Sequence, residues 1–478
     1  MKERIKRLLP KNRFARSVSV LVGGTAAGQI IVVAASPILT RLYSPEDFGL
    51  LAVYAGLLGI LGVIASLRYQ LAIPLPESDE EAASVAALSL LVVLGMTAVS
   101  ALIVGLWGTP ITTALNTPAL EPYLWLLPLG LLLTGTYQVF SYWAIRTRAF
   151  TAIARTKLTQ AISSVGIQFG AYTLGPLALL LGQVTGQAAG TFSLGLLAVR
   201  RKWAAFRQVR FADIRWAAAR YRRFPIYSSW GGFFNKAGTE LPAILFAALF
   251  SPAAAGIYIL AHRVLAMPMR LLGTAIADVF FSSASEAYRK GQLAPLVSGI
   301  HSKLAHIAMP PAFILLVAGP DLFAVVFGAD WRQAGQFAQW MAPWLYLAFV
   351  SAPLSQLVSV MEKQVHFMVF QGAQLAVRIG ALAIGGAQGN LMLAVALFTV
   401  GSAFCYAGFL VWLIHASGNR LIQAWRPSAT AALYAALLVA PLAMYYTFDA
   451  AWGFGLMAIL VTTLASGLYY AQMLRKAW

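Results

Sequence analysis

The sequence predicts an all-α polytopic membrane protein with about fourteen transmembrane helices, and three observations predict it. First, 60% of the 478 residues are hydrophobic and only 11% are charged, with a mean hydropathy of +0.73. A soluble domain carries roughly 25% charge to cover its surface. Second, apolar windows of about twenty residues, the length that crosses a hydrocarbon core, follow one another with short polar breaks. Third, basic residues crowd alternate breaks. This composition excludes a soluble enzyme, a disordered chain and a disulfide scaffold. The single cysteine, Cys405, has no internal partner and sits in an apolar run.

The spans fall in order at 17–41, 48–72, 82–106, 121–146, 155–174, 176–199, 225–249, 254–281, 297–320, 337–361, 366–387, 391–415, 428–447 and 452–474. Seven basic residues precede the first. Its apolar stretch exceeds the ~7–15 residues of a secretory leader, so it is taken as a span despite Ala34-Ala35-Ser36. Tyr43-Ser44-Pro45 separates spans 1 and 2, and Phe250-Ser251-Pro252 separates spans 7 and 8. Gly175-Pro176 and Gln388-Gly389-Asn390 are the tightest breaks. Fusing spans there would leave twelve or thirteen. The segment 200–223, with Trp203, Phe206, Phe211 and Trp216 among nine basic residues, suits an amphipathic helix on the membrane surface. Pro37, Pro128, Pro242, Pro268, Pro310, Pro311, Pro343 and Pro353 interrupt spans, as static kinks or as bends used in motion.

Orientation follows from Lys and Arg. With the N-terminus inside, 28 of the 35 basic residues lie on cytoplasmic segments, and Arg41 and Arg332 alone lie outside. Both termini are therefore predicted inside. The net charge of +19 reflects this asymmetry and attraction to anionic lipid headgroups, with no need for nucleic acid.

The chain is doubled. Aromatic-Ser-Pro-x-x-x-Gly occurs at Tyr43–Gly49 and again at Phe250–Gly256, 207 positions later. Trp125-Leu-Leu-Pro128 and Trp340-Met-Ala-Pro343 recur at an offset of 215. Six-span repeats keep both halves in one orientation, the arrangement of transporters with a site between parallel lobes. The predicted organisation is a first lobe over 1–199, a basic connector over 200–224, a second lobe over 225–415, and residues 416–478 carrying two extra spans.

No Walker A pattern, His-Glu-x-x-His or Gly-x-Ser-x-Gly motif occurs, and five scattered histidines suggest no metal site. The longest outer segment, about 319–337, is too short for a catalytic domain, and its Asp321, Asp330 and Arg332 suit caps and solvated charge. No catalytic residue and no cofactor is expected. Gly24–Gly28 and Gly182–Gly186–Gly190 are small-xxx-small patterns that favour close helix packing.

Ionisable residues at depth carry the functional signal, because they are costly there and face a cavity or a partner. Arg263 lies ~14 Å from the outer end of span 8 at ~1.5 Å per residue. Arg270, seven residues on, shares its face. Lys236 and Arg378 lie near the middle of spans 7 and 11. Arg68 ends span 2, where snorkelling to the interface is the plain alternative. Glu240, four residues after Lys236, is the deep acid and can pair with it. The remaining charge is positive, and arginine favours bidentate contact with phosphate or carboxylate. Arg263, Arg270, Arg378 and Lys236 are therefore the substrate-path candidates, with Arg41 and Arg68 as secondary members. For each arginine alone, a structural contact is an equal alternative.

The stretches Thr40-Arg-Leu-Tyr-Ser-Pro-Glu-Asp-Phe-Gly-Leu-Leu-Ala-Val-Tyr and Ser66-Leu-Arg-Tyr-Gln-Leu-Ala-Ile-Pro-Leu-Pro resemble the opening of Wzx-type polysaccharide flippases. Phe224-Pro-Ile-Tyr-Ser-Ser, Ser251-Pro-Ala-Ala-Ala-Gly-Ile-Tyr, Ala261-His-Arg-Val-Leu-Ala-Met-Pro and Val326-Phe-Gly-Ala-Asp-Trp-Arg-Gln-Ala-Gly continue the resemblance through most of spans 1–11. Gln70 departs from it, since such sequences often have Glu there. The resemblance implies the multidrug/oligosaccharidyl-lipid/polysaccharide exporter superfamily, with two six-helix lobes, often two extra helices, and alternating access. It implies a bacterial inner-membrane flippase that moves undecaprenyl-pyrophosphate-linked oligosaccharide outward for O-antigen, lipopolysaccharide, capsule or exopolysaccharide synthesis. Its partners would be membrane lipids, a polysaccharide polymerase and assembly proteins. Transport could couple to a proton or sodium gradient; from its depth, Glu240 is the carboxylate able to carry a proton, with a plain structural ion pair to Lys236 as an equal alternative. A lipid II flippase, a cation-coupled drug antiporter and a polytopic polymerase or ligase are the alternatives. The antiporter would want more deep carboxylates, and the polymerase a large outer loop.

Overall fold

The computed structural model describes residues 13–420, 422–448 and 452–477. It is all-helical, with no strand among the described residues. Fourteen helices of twenty residues or more are described, and eight helical segments are long and apolar enough to cross a membrane. The chain divides into two compact units, 1–259 and 260–478.

The first unit holds α1 (Arg13–Leu42), α2 (Pro45–Ile64), α3 (Asp79–Ala114), α4 (Leu126–Arg146), α5 (Phe150–Gly170), α6 (Pro176–Arg207), a short α7 (Phe211–Arg220), α8 (Ser229–Leu249) and the start of α9 (Pro252–Arg289). Both small-residue patterns are used, and both grip α5. A Cβ at Gly24 would meet the Ala154 Cβ at 2.6 Å, and one at Gly28 the Lys157 carbonyl at 3.0 Å. From α6, Cβ atoms at Gly182 and Gly186 would meet the carbonyls of Ser164 and Gln160 at 2.7 and 2.9 Å. Backbones approach this closely only where side chains are absent, which is how membrane helices gain dispersion contact without a hydrophobic driving force.

The motif that recurs at 43–49 and 250–256 is a helix start. The Ser44 Oγ accepts the Asp47 N–H at 3.2 Å, while the Asp47 carboxylate accepts the Ser44 N–H at 2.9 Å. The Ser251 Oγ accepts the Ala254 N–H at 3.2 Å. In each copy proline follows at the first helical position, where its missing donor costs nothing.

The predicted span 48–72 is not one helix. It stops at Ile64, and Leu67 and Arg68 adopt positive φ of 46° and 65° before a 3₁₀ turn over Tyr69–Ala72. A buried polar network accompanies the break. Ser66 donates to Gln70, the Gln70 amide donates to the Gln138 Oε1 at 3.0 Å, and the Gln138 amide donates to the Gly62 carbonyl at 3.0 Å. Hydropathy counts these residues as span continuation and carries no signal for left-handed backbone. The connector also differs in detail: α6 runs on to Arg207 before α7 begins. Pro128 lies in the first turn of α4 rather than interrupting it, whereas Pro37, Pro242, Pro310, Pro311, Pro343 and Pro353 lie inside helices.

The second unit holds the rest of α9, then α10 (Leu293–Phe327), α11 (Arg332–Leu354), α12 (Gln364–Ala387), α13 (Leu391–Ala416), α14 (Ile422–Phe448) and α15 (Trp452–Ala477). Its core joins Leu304, Met309, Phe349, Val350, Leu354, Leu410 and Leu413. An aromatic file runs alongside, with Phe370 and Phe409 parallel at 4.2 Å and Trp412 stacked on Phe409 at 5.9 Å. A hydroxyl relay ties α14 to α11 and α10. Tyr346 donates to Ser428 at 2.8 Å, and Ser428 lies 3.4 Å from the His301 Nε2.

Candidate functional site

Three of the predicted residues come together along one seam in the first unit. Helices α2 and α8 run antiparallel, and the glycines of α2 mark their contacts. A Cβ at Gly56 would meet the Ile244 side chain at 3.1 Å, and one at Gly59 would meet the Lys236 Cε at 3.1 Å and the Glu240 Cγ at 3.3 Å. Lys236 and Glu240 form the predicted ion pair on α8, and it lies against the notch at Gly59. Past the end of α2, the Arg68 guanidinium lies on the backbone of α8 at Gly232, where any side chain would collide with it. Gly232 and Lys236 are one turn apart, so Arg68 and Lys236 share one face of α8.

Arg68 has an unusual environment for a residue that merely snorkels. Its backbone is left-handed, and its Nε is buried without a hydrogen-bond partner among the described residues. No ion pair to Arg68 is formed among the described residues. The seam therefore ends in two cations and one carboxylate, a net positive site with guanidinium donors unspent.

The other predicted residues lie elsewhere. Arg378 lies over the Trp344 ring at 5.0 Å and the Phe398 ring at 5.5 Å, and its Nε donates to the Ser402 Oγ at 3.2 Å. Trp344 also stacks on His262 at 6.0 Å, so Arg378 belongs to an aromatic assembly of the second unit. Arg263 follows His262 and is half-buried. The side chain of Arg270 lies outside the described residues. Arg41 donates to the Pro37 carbonyl at 2.8 Å and is exposed. No group of three or more potential metal ligands occurs among the described residues.

Sequence reasoning missed Gly59 and Gly232 as the cradles of these charges, and Gln138 as the partner of Gln70. Glycines three or seven residues apart on α2 were the available signal. What each faces depends on the pairing of α2 with α8, which no local pattern encodes.

Residues 38–336 match the family described as polysaccharide biosynthesis protein. The chain belongs to this polysaccharide biosynthesis family. No curated protein matches the chain in sequence. Among solved structures, the chain is similar to the lipid II flippase MurJ in an inward closed conformation, at 12% identity, with 96% of this chain and 99% of that chain covered and a TM-score of 0.72. It is similar to a multidrug resistance MATE family transporter of the MOP superfamily in an inward-facing conformation, at 12% identity, with 83% and 94% covered and a TM-score of 0.57. It is also similar to the Vibrio cholerae MATE transporter VcmN, at 13% identity, with 86% and 97% covered and a TM-score of 0.53. This family member is thus a multi-pass membrane protein with the fold of MOP-superfamily flippases and transporters. These three solved structures are a flippase and two transporters.

Proposed function

We propose that this protein is a Wzx-type flippase of the bacterial inner membrane, moving undecaprenyl-pyrophosphate-linked oligosaccharide from the inner to the outer leaflet by alternating access. The observation that carries the reading is the Arg68 guanidinium, without an ion pair among the described residues and one turn along α8 from the Lys236–Glu240 pair. A diphosphate leaving water loses hydration, and charge-assisted hydrogen bonds from guanidinium offset that loss. The sugars would occupy the aqueous cavity and the polyprenyl tail the bilayer. Arg263, Arg270 and Arg378 are further candidates for the anionic headgroup. The reading includes fourteen spans with both ends inside, two six-helix lobes joined by the 200–224 connector, and two extra spans over 416–478. Membership of a polysaccharide biosynthesis family favours a polysaccharide precursor.

Lipid II is the second reading, favoured by the coverage of nearly the whole chain by the MurJ fold. It carries the same diphosphate, so the sugar decides. Proteoliposomes containing the full chain should translocate undecaprenyl-diphosphate oligosaccharide, and Arg68→Ala should slow this at least tenfold. Faster translocation of lipid II than of the oligosaccharide would replace the first reading by the second. Translocation of neither would remove both.

A further inference from the structure

A cleft of about 780 Å³ opens between the first turn of α3, the last turn of α6 and the short helix α7. Glu80 and Glu81 line it from α3, Arg207 from α6, Arg210 from the α6–α7 turn, and Trp216 from α7. It lies within the first unit and shares no residue with the α2–α8 seam.

The charges of this cleft are not spent on one another. Asp79, their neighbour, pairs with Arg146 at 3.2 Å, and Arg146 also donates to the carbonyls of Glu77 and Ser78 at 3.1 and 2.9 Å. That clamp fixes the start of α3 and leaves the side chains of Glu80 and Glu81 without an ion pair among the described residues. Asp213, also on the lining, caps α7 by accepting the Arg210 N–H at 2.9 Å. Arg207 and Arg210 form no ion pair among the described residues either. Helix dipoles account in part for acids at the start of α3 and a cation at the end of α6. They do not account for two carboxylates and two guanidiniums sharing one cleft without meeting.

The walls suit the level of lipid headgroups. Helix α7 is short, buries Ala217 against the protein and turns Phe211 outward at 78% exposure, beside the exposed Arg215. An aromatic-and-arginine face of this kind rests in the headgroup region. Trp216, 43% exposed, suits the same depth.

We propose that the cleft binds the headgroup of a zwitterionic phospholipid bearing a primary ammonium. The phosphate would be held by Arg207 and Arg210, and the ammonium by Glu80 and Glu81, with Trp216 at the glycerol edge. The guanidinium fork matches phosphate oxygens, and a primary ammonium offers the three donors that two carboxylates can accept. An anionic lipid would satisfy the arginines and be repelled by the glutamates. A choline lipid has no N–H to donate. The site is independent of the cargo and would anchor α7, and with it the link between α6 and α8, to the membrane surface.

The test is native mass spectrometry of the purified full chain in detergent with defined probes: palmitoyl-oleoyl phosphatidylethanolamine, phosphatidylglycerol and phosphatidylcholine, and soluble phosphoethanolamine. Wild type should retain phosphatidylethanolamine at least fivefold over each other lipid. The Glu80→Gln/Glu81→Gln pair should lose that preference and gain phosphatidylglycerol. The Arg207→Gln/Arg210→Gln pair should lose both lipids. The wild-type ranking stands as its own test should either variant fail to fold. Phosphatidylglycerol retained as well as phosphatidylethanolamine by wild type, retention unchanged in both variants, or binding of soluble phosphoethanolamine without the lipid would overturn the proposal.

Discussion

Gly49 and Gly256 hold reciprocal positions: a Cβ on Gly49 would overlap the carbonyl oxygen of Pro252, and a Cβ on Gly256 would overlap that of Pro45. Each is the glycine of the recurring Ser-Pro-x-x-x-Gly motif, so the two copies of the motif cross one another at the starts of α2 and α9. The serine caps turn each chain into its helix, the prolines occupy the first turn, and the glycines admit the other backbone. The repeat seen in the sequence is thus one symmetric contact, with Cα–H groups facing carbonyls. Phe250 adds to it, since its carbonyl accepts from the Asn116 amide at 3.1 Å.

Alanine at either glycine should therefore act on both helices. Overpacking of a tight contact costs about 1–3 kcal/mol. Gly49→Ala and Gly256→Ala should each lower the apparent melting temperature in detergent. The double variant should cost less than the sum, because the first has already spread the crossing. Full additivity with an unchanged melting temperature for each single variant would mean that the crossing is looser than its geometry.

Arg68 and Gly232 form the second such pair. If the guanidinium serves the cargo, Arg68→Lys should keep the charge but lose the planar fork, and so restore transport only in part. Arg68→Ala should do worse and Arg68→Glu worst. Gly232→Val leaves the arginine in the sequence but fills its seat, so it should resemble Arg68→Ala in transport. Full activity of both Arg68→Lys and Gly232→Val, measured per inserted protein, would return Arg68 to a snorkelling role.

Much of the fold was legible in the sequence, and the reasons are physical. Each long described helix overlaps an apolar window, because the bilayer's demand for internally satisfied backbone leaves a helix as the solution. The small-xxx-small patterns pointed to close packing, and α5 is held by both. Local breaks were not legible. The stop after Ile64 depends on left-handed backbone at Leu67 and Arg68, neither a glycine, and is accompanied by a network reaching Gln138 on another helix. At the candidate site the charge types were visible, but their seats were not. Lys236 and Glu240 are four apart and pair as helix geometry requires, whereas the rings under Arg378 come from α11 and α13.

Arg378 separates packing from transport. Its place over two rings predicts a double-mutant coupling with Trp344 of about 1 kcal/mol, measured with Arg378→Lys and Trp344→Leu. If it also meets the diphosphate, Arg378→Lys should lower transport per folded molecule as well as stability. A loss of stability with transport per folded molecule intact would confine Arg378 to the aromatic assembly.

The proposed orientation makes a labelling prediction. In a Cys405→Ser background, cysteines at Ser78 and Ala212 should be shielded from an impermeant thiol reagent in intact cells, and cysteines at Glu46 and Gln333 should react. Both labelled positions lie in the first turns of α2 and α11, where the basic residues are sparse. Reaction of the Ala212 position from outside would invert the topology and, with it, the direction of the α2–α8 seam in the membrane.

The ion pair at Gly59 bears on the driving force. Lys236 and Glu240 are partly exposed, with side-chain exposures of 39% and 23%, and in the proposed aqueous cavity their mutual attraction would be screened. Helix pairs at this spacing are worth only about 0.2–0.5 kcal/mol when open to water. Glu240→Gln should therefore cost little stability, and the chain should still insert. Its effect on transport is then readable. Among the predicted path residues Glu240 is the carboxylate, and a proton taken up there would free Lys236 and make the seam more positive. A proton-coupled protein should lose the pH-gradient dependence of translocation in Glu240→Gln while keeping gradient-independent exchange. Lys236→Gln should instead weaken cargo binding and leave the gradient dependence in place. If Glu240→Gln responds to a pH gradient as wild type does, the pair is a structural bridge, and the driving force must come from the cargo gradient, another ion or the membrane potential, worth about 2.3 kcal/mol per charge at 100 mV.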